Sequence, residues 1–144
     1  MNYIIRDIWL GNSQDSRDVL FKGVNPNGIT AVLNVAKDLS IDPSGGGIMY
    51  VHRGLIDGSG NPEGALEEAI DALYDLSESG YKILIHCHEG VSRSPIVLAC
   101  LLAKNMRLSL EQALVYIAAK RPVIYPKKDL IYLAREYCAK YVQE

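Results

Sequence analysis

Apolar positions along the chain fall into short β-branched runs over the first half and into helix-spaced stripes over the second. Tyr3 to Leu10 alternates loosely, with Ile4, Ile5, Ile8 and Trp9, and predicts a first strand turned by Gly11-Asn12. Ser13 is placed to cap a short helix to about Lys22, with Val19, Leu20 and Phe21 as its apolar face. Ile29 to Val35 is β-branched and predicts a second strand. The stretch from Asp38 to Gly47, with Asp42-Pro43 and three consecutive glycines, predicts a mobile loop or loose hairpin end. Ile48 to His52 predicts a third strand, followed by a glycine-punctuated loop from Arg53 to Asn61 that contains Asp57.

Helical spacing then takes over. Asn61 is placed to cap a helix with Pro62 at its first position, Leu66, Ile70, Leu73 and Leu76 on one face, and Gly80 beyond its end. Ile83-Leu84-Ile85 reads as a buried parallel strand, and Pro95 to Ala103 as a helix with proline in its first turn. Ser109 and Gln112 form a capping box for a helix carrying Leu110, Leu114 and Ile117. After a proline-bounded loop from Arg121 to Pro126, a last helix from about Lys128 carries Leu130, Leu133, Ala134, Tyr137 and Tyr141. This order predicts one α/β domain over residues 1–144, with a central, mostly parallel sheet covered by helices on both faces. Sites in such sheets lie beyond the carboxyl ends of the strands.

The stretch between the Ile83–Ile85 strand and the Pro95 helix is His86-Cys87-His88-Glu89-Gly90-Val91-Ser92-Arg93-Ser94. Successive N–H groups curling into a helix N-terminus make a concave nest for an anion, and the helix dipole adds partial positive charge. Gly90 supplies the backbone freedom such a curl needs. Arg93, six residues after Cys87, can reach over the loop and fork two N–H bonds onto an oxyanion. Cys87 then lies in positive potential, where a thiol that ordinarily titrates near 8.5 ionises at roughly 3.5–7.5. A thiolate beneath a bound phosphate is a nucleophile aimed at phosphorus.

These residues resemble the signature of the cysteine-dependent protein tyrosine phosphatases, and Gly90-Val91-Ser92-Arg93-Ser94 is most similar to the dual-specificity branch. The resemblance implies the phosphotyrosine protein phosphatase-like fold and a phosphate loop of His88, Glu89, Gly90, Val91, Ser92 and Arg93. It also implies that His86 orders the loop and favours the thiolate, and that Ser94 hydrogen-bonds the sulfur and helps it leave. Taken alone, His86 offers a catalytic base or, more often at a buried strand end, a satisfied structural donor, and Ser94 offers a helix-start hydroxyl. Cleavage also needs a proton for the departing oxygen. Asp57 lies on a loop at the same sheet edge, and in the resemblance this loop, about thirty residues before the nucleophile, carries the general acid. Asp57-Gly58 also favours a turn on its own account, and Asp42 is the reserve acid. Arg121-Pro122 to Pro126 resembles a family segment that commonly continues with Asn and, three residues later, Phe. Lys127 and Leu130 stand there instead, which puts the usual loop-bracing contacts in doubt and leaves Lys127 and Lys128 to solvent.

Composition narrows the rest. A chain of 144 residues with 49% hydrophobic and 22% charged residues is long enough for a real core. A net charge of −2 argues against a general nucleic-acid or anionic-membrane binder. Arg6 and Asp7 interrupt the first apolar run, which therefore does not read as a signal peptide, and no apolar run reaches about 18 residues. Three cysteines, one in the proposed site, suggest no disulfide framework and fit a reducing, cytoplasmic setting. A structural zinc wants about four ligands; beyond His86, Cys87 and His88 only His52, Cys100 and Cys138 are available, and both of those cysteines lie on apolar helix stripes. No metal and no organic cofactor is expected. The expected partner is a phosphorylated protein or a small phosphomonoester. The rivals are a phosphatase for phosphoinositides or RNA 5′-phosphates, disfavoured by His88, Glu89 and Val91 where basic residues would help, a phospho-binding module without turnover, and, remotely, sulfur or arsenate transfer.

Overall fold

Alternation along the strands sorts the chain onto two faces of a sheet. In the computed structural model, which describes residues 1–43 and 46–142, the elements run β1 (Asn2–Ile5), β2 (Ile8–Gly11), α1 (Ser13–Phe21), β3 (Ala31–Ala36) and β4 (Met49–Leu55). They continue with α2 (Ala65–Glu78), β5 (Ile83–His86), α3 (Arg93–Met106), α4 (Leu110–Lys120) and α5 (Lys128–Tyr141). The strand order is β1-β2-β5-β3-β4; β1 is antiparallel to β2 and the other neighbours are parallel. The expected α/β architecture with a mostly parallel sheet is present.

Ile83 and Ile85 of β5 join Leu33, Val35 and Leu10 in a large core roofed by α2 to α5. Leu84 and Val32 face the other way, onto Val19 of α1 and Ile29. Helix α3 is buried continuously from Arg93 to Ala103, so its N-terminus and the loop that feeds it are set from all sides. Burial of that many aliphatic side chains, at about 25 cal/mol per Å² of apolar area, is the main force holding the loop's two ends.

The boundaries differ from expectation where side chains act over a distance. The single strand expected at Tyr3–Leu10 is a hairpin, because Arg6 and Asp7 both adopt left-handed backbone (φ 48° and 62°), the geometry of a two-residue hairpin turn. The cap of α1 is Asn12 rather than Ser13: its side chain accepts from Asp15 N–H at 2.8 Å, and Asp15 accepts from Asn12 N–H at 2.9 Å. Asn61 does not cap α2, which starts at Ala65 after Gly64. Instead it closes the 56–61 loop, accepting from Ile56 N–H at 2.8 Å and donating to the carbonyls of Ile56 (2.9 Å) and Gly58 (3.3 Å).

The third strand runs on to Leu55, three residues past its expected end, since Leu55 pairs with Ala36 beyond a bulge. Gly54 is required there: a Cβ would stand 2.6 Å from Lys37 Cα. The loop expected to be mobile is anchored at its start, where Asn34 donates to Leu39 O at 2.8 Å and Leu39 is buried. Its Ser44 and Gly45 lie outside the described residues. The Ser109–Gln112 capping box forms as expected.

Candidate active site

Strand β5 ends at His86, helix α3 begins at Arg93, and the six residues between them wrap one end of a cavity of about 1020 Å³. Gly90 makes the wrap possible. Its φ is +71°, and a Cβ would overlap the Gly11 carbonyl oxygen and stand 2.7 Å from Arg121 Nη2.

Cys87 is 2% exposed at the base of this cavity, with Sγ 3.3 Å from Ser94 Oγ. Burial pushes its thiol up. Hydrogen bonds from the Ser94 hydroxyl and from the amides of Ser94, Gly90 and Ser92 together outweigh that, and the thiol ionises below its ordinary range. The expected nest therefore closes on the sulfur itself, and Ser94 is beside it.

His86 is fully buried and does not line the cavity. Its Nδ1 donates to the Cys87 carbonyl at 2.9 Å, which fixes the tautomer because a carbonyl only accepts. Burial, opposed by that hydrogen bond, lowers its pKa to about 4. Burial thus favours the neutral imidazole, and the hydrogen bond ties the ring to the first carbonyl of the loop.

Arg93 is 4% exposed and turns one nitrogen away from the loop. Nη1 donates to Asp38 Oδ1 at 2.6 Å and to the Leu55 carbonyl at 3.0 Å. Nε is buried with no partner among the described residues, so the Nε edge of the guanidinium is what remains for an oxyanion. Asp38 also meets His88 Nε2 at 3.3 Å. The Arg93 hydrogen bond, opposed by burial, holds the Asp38 carboxyl below its ordinary range, with the Arg93 charge and, less, His88 adding to the pull. The sequence reading missed Asp38, although its place just past the end of β3 is where the sheet-edge rule looks.

Asp57 lines the same cavity. Ser92 Oγ donates to its Oδ1 at 2.7 Å, and Lys127 Nζ reaches its Oδ2 at 3.3 Å and its carbonyl at 2.9 Å. The Asn61 clasp thus holds the loop that carries Asp57 at the cavity wall. Asp42, the reserve acid, is exposed and does not line the cavity.

Lys127 is not merely solvated. Besides Asp57, its main-chain N–H donates to Ser92 Oγ at 3.0 Å, so the loop is braced from this position through the backbone. Lys128, exposed like Lys127, does not line the cavity. Arg121 was legible only as part of a family-like segment. It is 8% exposed and fastens the loop from behind, donating Nε to Gly90 O (2.9 Å), Nη2 to Glu89 O (3.2 Å) and Nη1 to Asn2 Oδ1 (2.7 Å). Glu89 keeps its side chain exposed at the cavity's edge.

The remaining cysteines are free thiols on α3 and α5. The hydrogen bond with Cys138 and burial push the Cys100 thiol well up, so it stays protonated and serves as packing. Among the described residues no helix is long and apolar enough to cross a membrane.

Residues 8–139 match the family described as dual specificity phosphatase, catalytic domain. A candidate tyrosine phosphatase of invertebrate iridescent virus 6 is 28% identical over 138 residues, covering 89% of this chain and 84% of the relative. Mouse dual specificity protein phosphatase 2 is 30% identical over 125 residues, covering 85% of this chain and 38% of that protein. The chain thus spans most of the viral relative but under half of the mouse one. The crystal structure of the human tyrosine phosphatase-like serine/threonine/tyrosine-interacting protein superposes with a TM-score of 0.83 at 19% identity, over 98% of this chain and 97% of that one. At that identity the likeness concerns the fold alone.

Proposed function

Because the chain belongs to the dual specificity phosphatase catalytic-domain family, we propose that it hydrolyses phosphotyrosine or phosphoserine/threonine monoesters through a phosphocysteine intermediate. The amides of the phosphate loop and the Nε edge of Arg93 hold the phosphoryl oxygens. The Cys87 thiolate attacks phosphorus; the S–P bond forms as the P–O bond to the leaving group breaks, and Asp57 gives that oxygen its proton. Water then attacks the phosphocysteine, Asp57 takes its proton, and the S–P bond breaks to return the thiolate, whose charge Ser94 stabilises by its hydroxyl.

The observation that carries this reading is the position of Cys87: an acidified thiol at the base of a cavity, ringed by the Ser94 hydroxyl and loop amides, with Asp57 on the wall. A pure phospho-binding module has no use for an acidified nucleophile. Because Cys87 works only as a free thiol, the reading includes a reducing, cytoplasmic setting. Glu89 at the edge disfavours polyanions such as phosphoinositides or RNA 5′-phosphates by like-charge repulsion.

The test is hydrolysis of phosphopeptides, inositol phosphates and nucleotides with excess chelator present. Turnover of phosphopeptides that the chelator leaves intact is expected. Turnover confined to inositol phosphates or nucleotides, or binding without turnover, overturns it.

A further inference from the structure

Tyr125 is 81% exposed, more than any other large hydrophobic residue among those described, yet it lines the cavity above Cys87. Its backbone is firmly held. Tyr125 N–H donates to the Val91 carbonyl at 2.7 Å, and two residues on Lys127 N–H donates to Ser92 Oγ at 3.0 Å. Arg121, at the other end of the segment, is tied to the carbonyls of Gly90 and Glu89. The 121–127 segment is therefore fastened to the phosphate loop at both ends, and Tyr125 is carried at the cavity wall on an anchored backbone. Ile56, next to Asp57, and Val91 add apolar surface to the same cavity.

We infer that Tyr125 is a specificity-determining residue, selecting aromatic phosphate esters such as phosphotyrosine over alkyl esters such as phosphoserine. The inference rests on reading the cavity as a phosphatase site. A ring that is solvent-exposed on an anchored backbone gives up little freedom when it stacks, since only two side-chain torsions are fixed. An aryl leaving group offers a flat apolar partner at the distance the phosphate sets; a serine ester carries one methylene and offers none. Aromatic pairs prefer offset or edge-to-face geometry, and the gain corresponds to roughly 3- to 10-fold in affinity.

The experiment uses two peptides that differ only in carrying phosphotyrosine or phosphoserine, with the wild type, Tyr125→Ala and Tyr125→Phe. Tyr125→Ala is expected to lower the phosphotyrosine-to-phosphoserine ratio of kcat/KM by roughly 3- to 10-fold, mostly through KM, while Tyr125→Phe keeps the wild-type ratio. An unchanged ratio in Tyr125→Ala, or an equal fall in Tyr125→Phe, overturns the inference. Should the wild type hydrolyse neither peptide, the phosphatase reading fails, and peptide binding then decides about Tyr125. Weaker binding of the phosphotyrosine peptide alone in Tyr125→Ala sustains the inference, and equal binding of both peptides by both proteins overturns it.

Discussion

Asp38 Oδ1 accepts a hydrogen bond of 2.6 Å from Arg93 Nη1, and the Leu55 carbonyl accepts a second from the same nitrogen at 3.0 Å. One end of the guanidinium is thereby fixed at the ends of two strands, and its Nε is left without a partner among the described residues. Two effects of Asp38 oppose each other. Its charge near a phosphate dianion is unfavourable but well screened, since Asp38 is 63% exposed. Its hydrogen bond orients a buried arginine, and bonds to charged groups are worth about 1.5–3 kcal/mol.

Orientation outweighs repulsion on these magnitudes. Asp38→Ala is expected to lower kcat/KM roughly 10-fold, with Asp38→Asn losing less because its amide carbonyl still accepts from Nη1. Steady-state kinetics on an aryl phosphate checks this. Higher activity in Asp38→Ala would make Asp38 a competitor of the substrate rather than a support for Arg93.

The fastening of the phosphate loop gives a second expectation. Arg121→Ala removes three hydrogen bonds, two of them to loop carbonyls, without touching a substrate. Misplacement of reacting groups by about 1 Å costs up to about 100-fold, so kcat should fall about 10- to 100-fold. The acid limb of the pH–rate profile should move to higher pH, because the loop amides that acidify Cys87 are no longer held. Gly90→Ala should be worse still, since its Cβ would meet the Gly11 carbonyl. A normal pH profile in Arg121→Ala would show that the loop holds itself.

The strand–loop–helix unit from Ile83 to Ala103 was legible because its signals are contiguous: an apolar β-branched run, a loop glycine, and a proline in the first helical turn. Asp57 was legible from its place at the sheet edge. The Asp38–Arg93 pair joins residues 55 apart, and Arg121 reaches a loop 31 residues away; no periodicity encodes either contact. The hairpin turn at Arg6-Asp7 was hidden because neither residue is glycine or asparagine. Asn61 carried a sound capping signal, but tertiary context used its amide to close the Asp57 loop instead.

Asp57 is tested by leaving group. An alkyl oxygen needs a proton to depart and a nitrophenyl oxygen does not. Asp57→Asn should therefore slow an alkyl phosphate by about 10²–10⁴ and a nitrophenyl phosphate far less. Equal slowing of both would leave Asp57 a turn residue.

Burial of neutral His86 has a consequence for stability. Its pKa falls from 6.5 to about 4 in the folded protein, so the unfolded chain binds the proton more readily. The stability this contributes is complete above pH 6.5 and is lost as pH falls toward 4, by roughly 3 kcal/mol at about 1.4 kcal/mol per unit. Denaturant midpoints from pH 7 to pH 4 should fall more steeply for the wild type than for His86→Gln. Parallel slopes would mean that His86 is not buried neutral.

The central claim is a covalent bond between Cys87 and phosphorus. The most direct measurement is rapid acid quench during turnover of an aryl phosphate, followed by proteolysis and mass analysis of the peptide from Ile83 to Arg93. The mass of one phosphoryl group is predicted on Cys87 in the wild type and is predicted to be missing in Cys87→Ser, which still binds phosphate through the loop amides and Arg93. A wild type that turns over with no phosphorylated Cys87 peptide, or a Cys87→Ser protein that keeps its activity, would contradict the account.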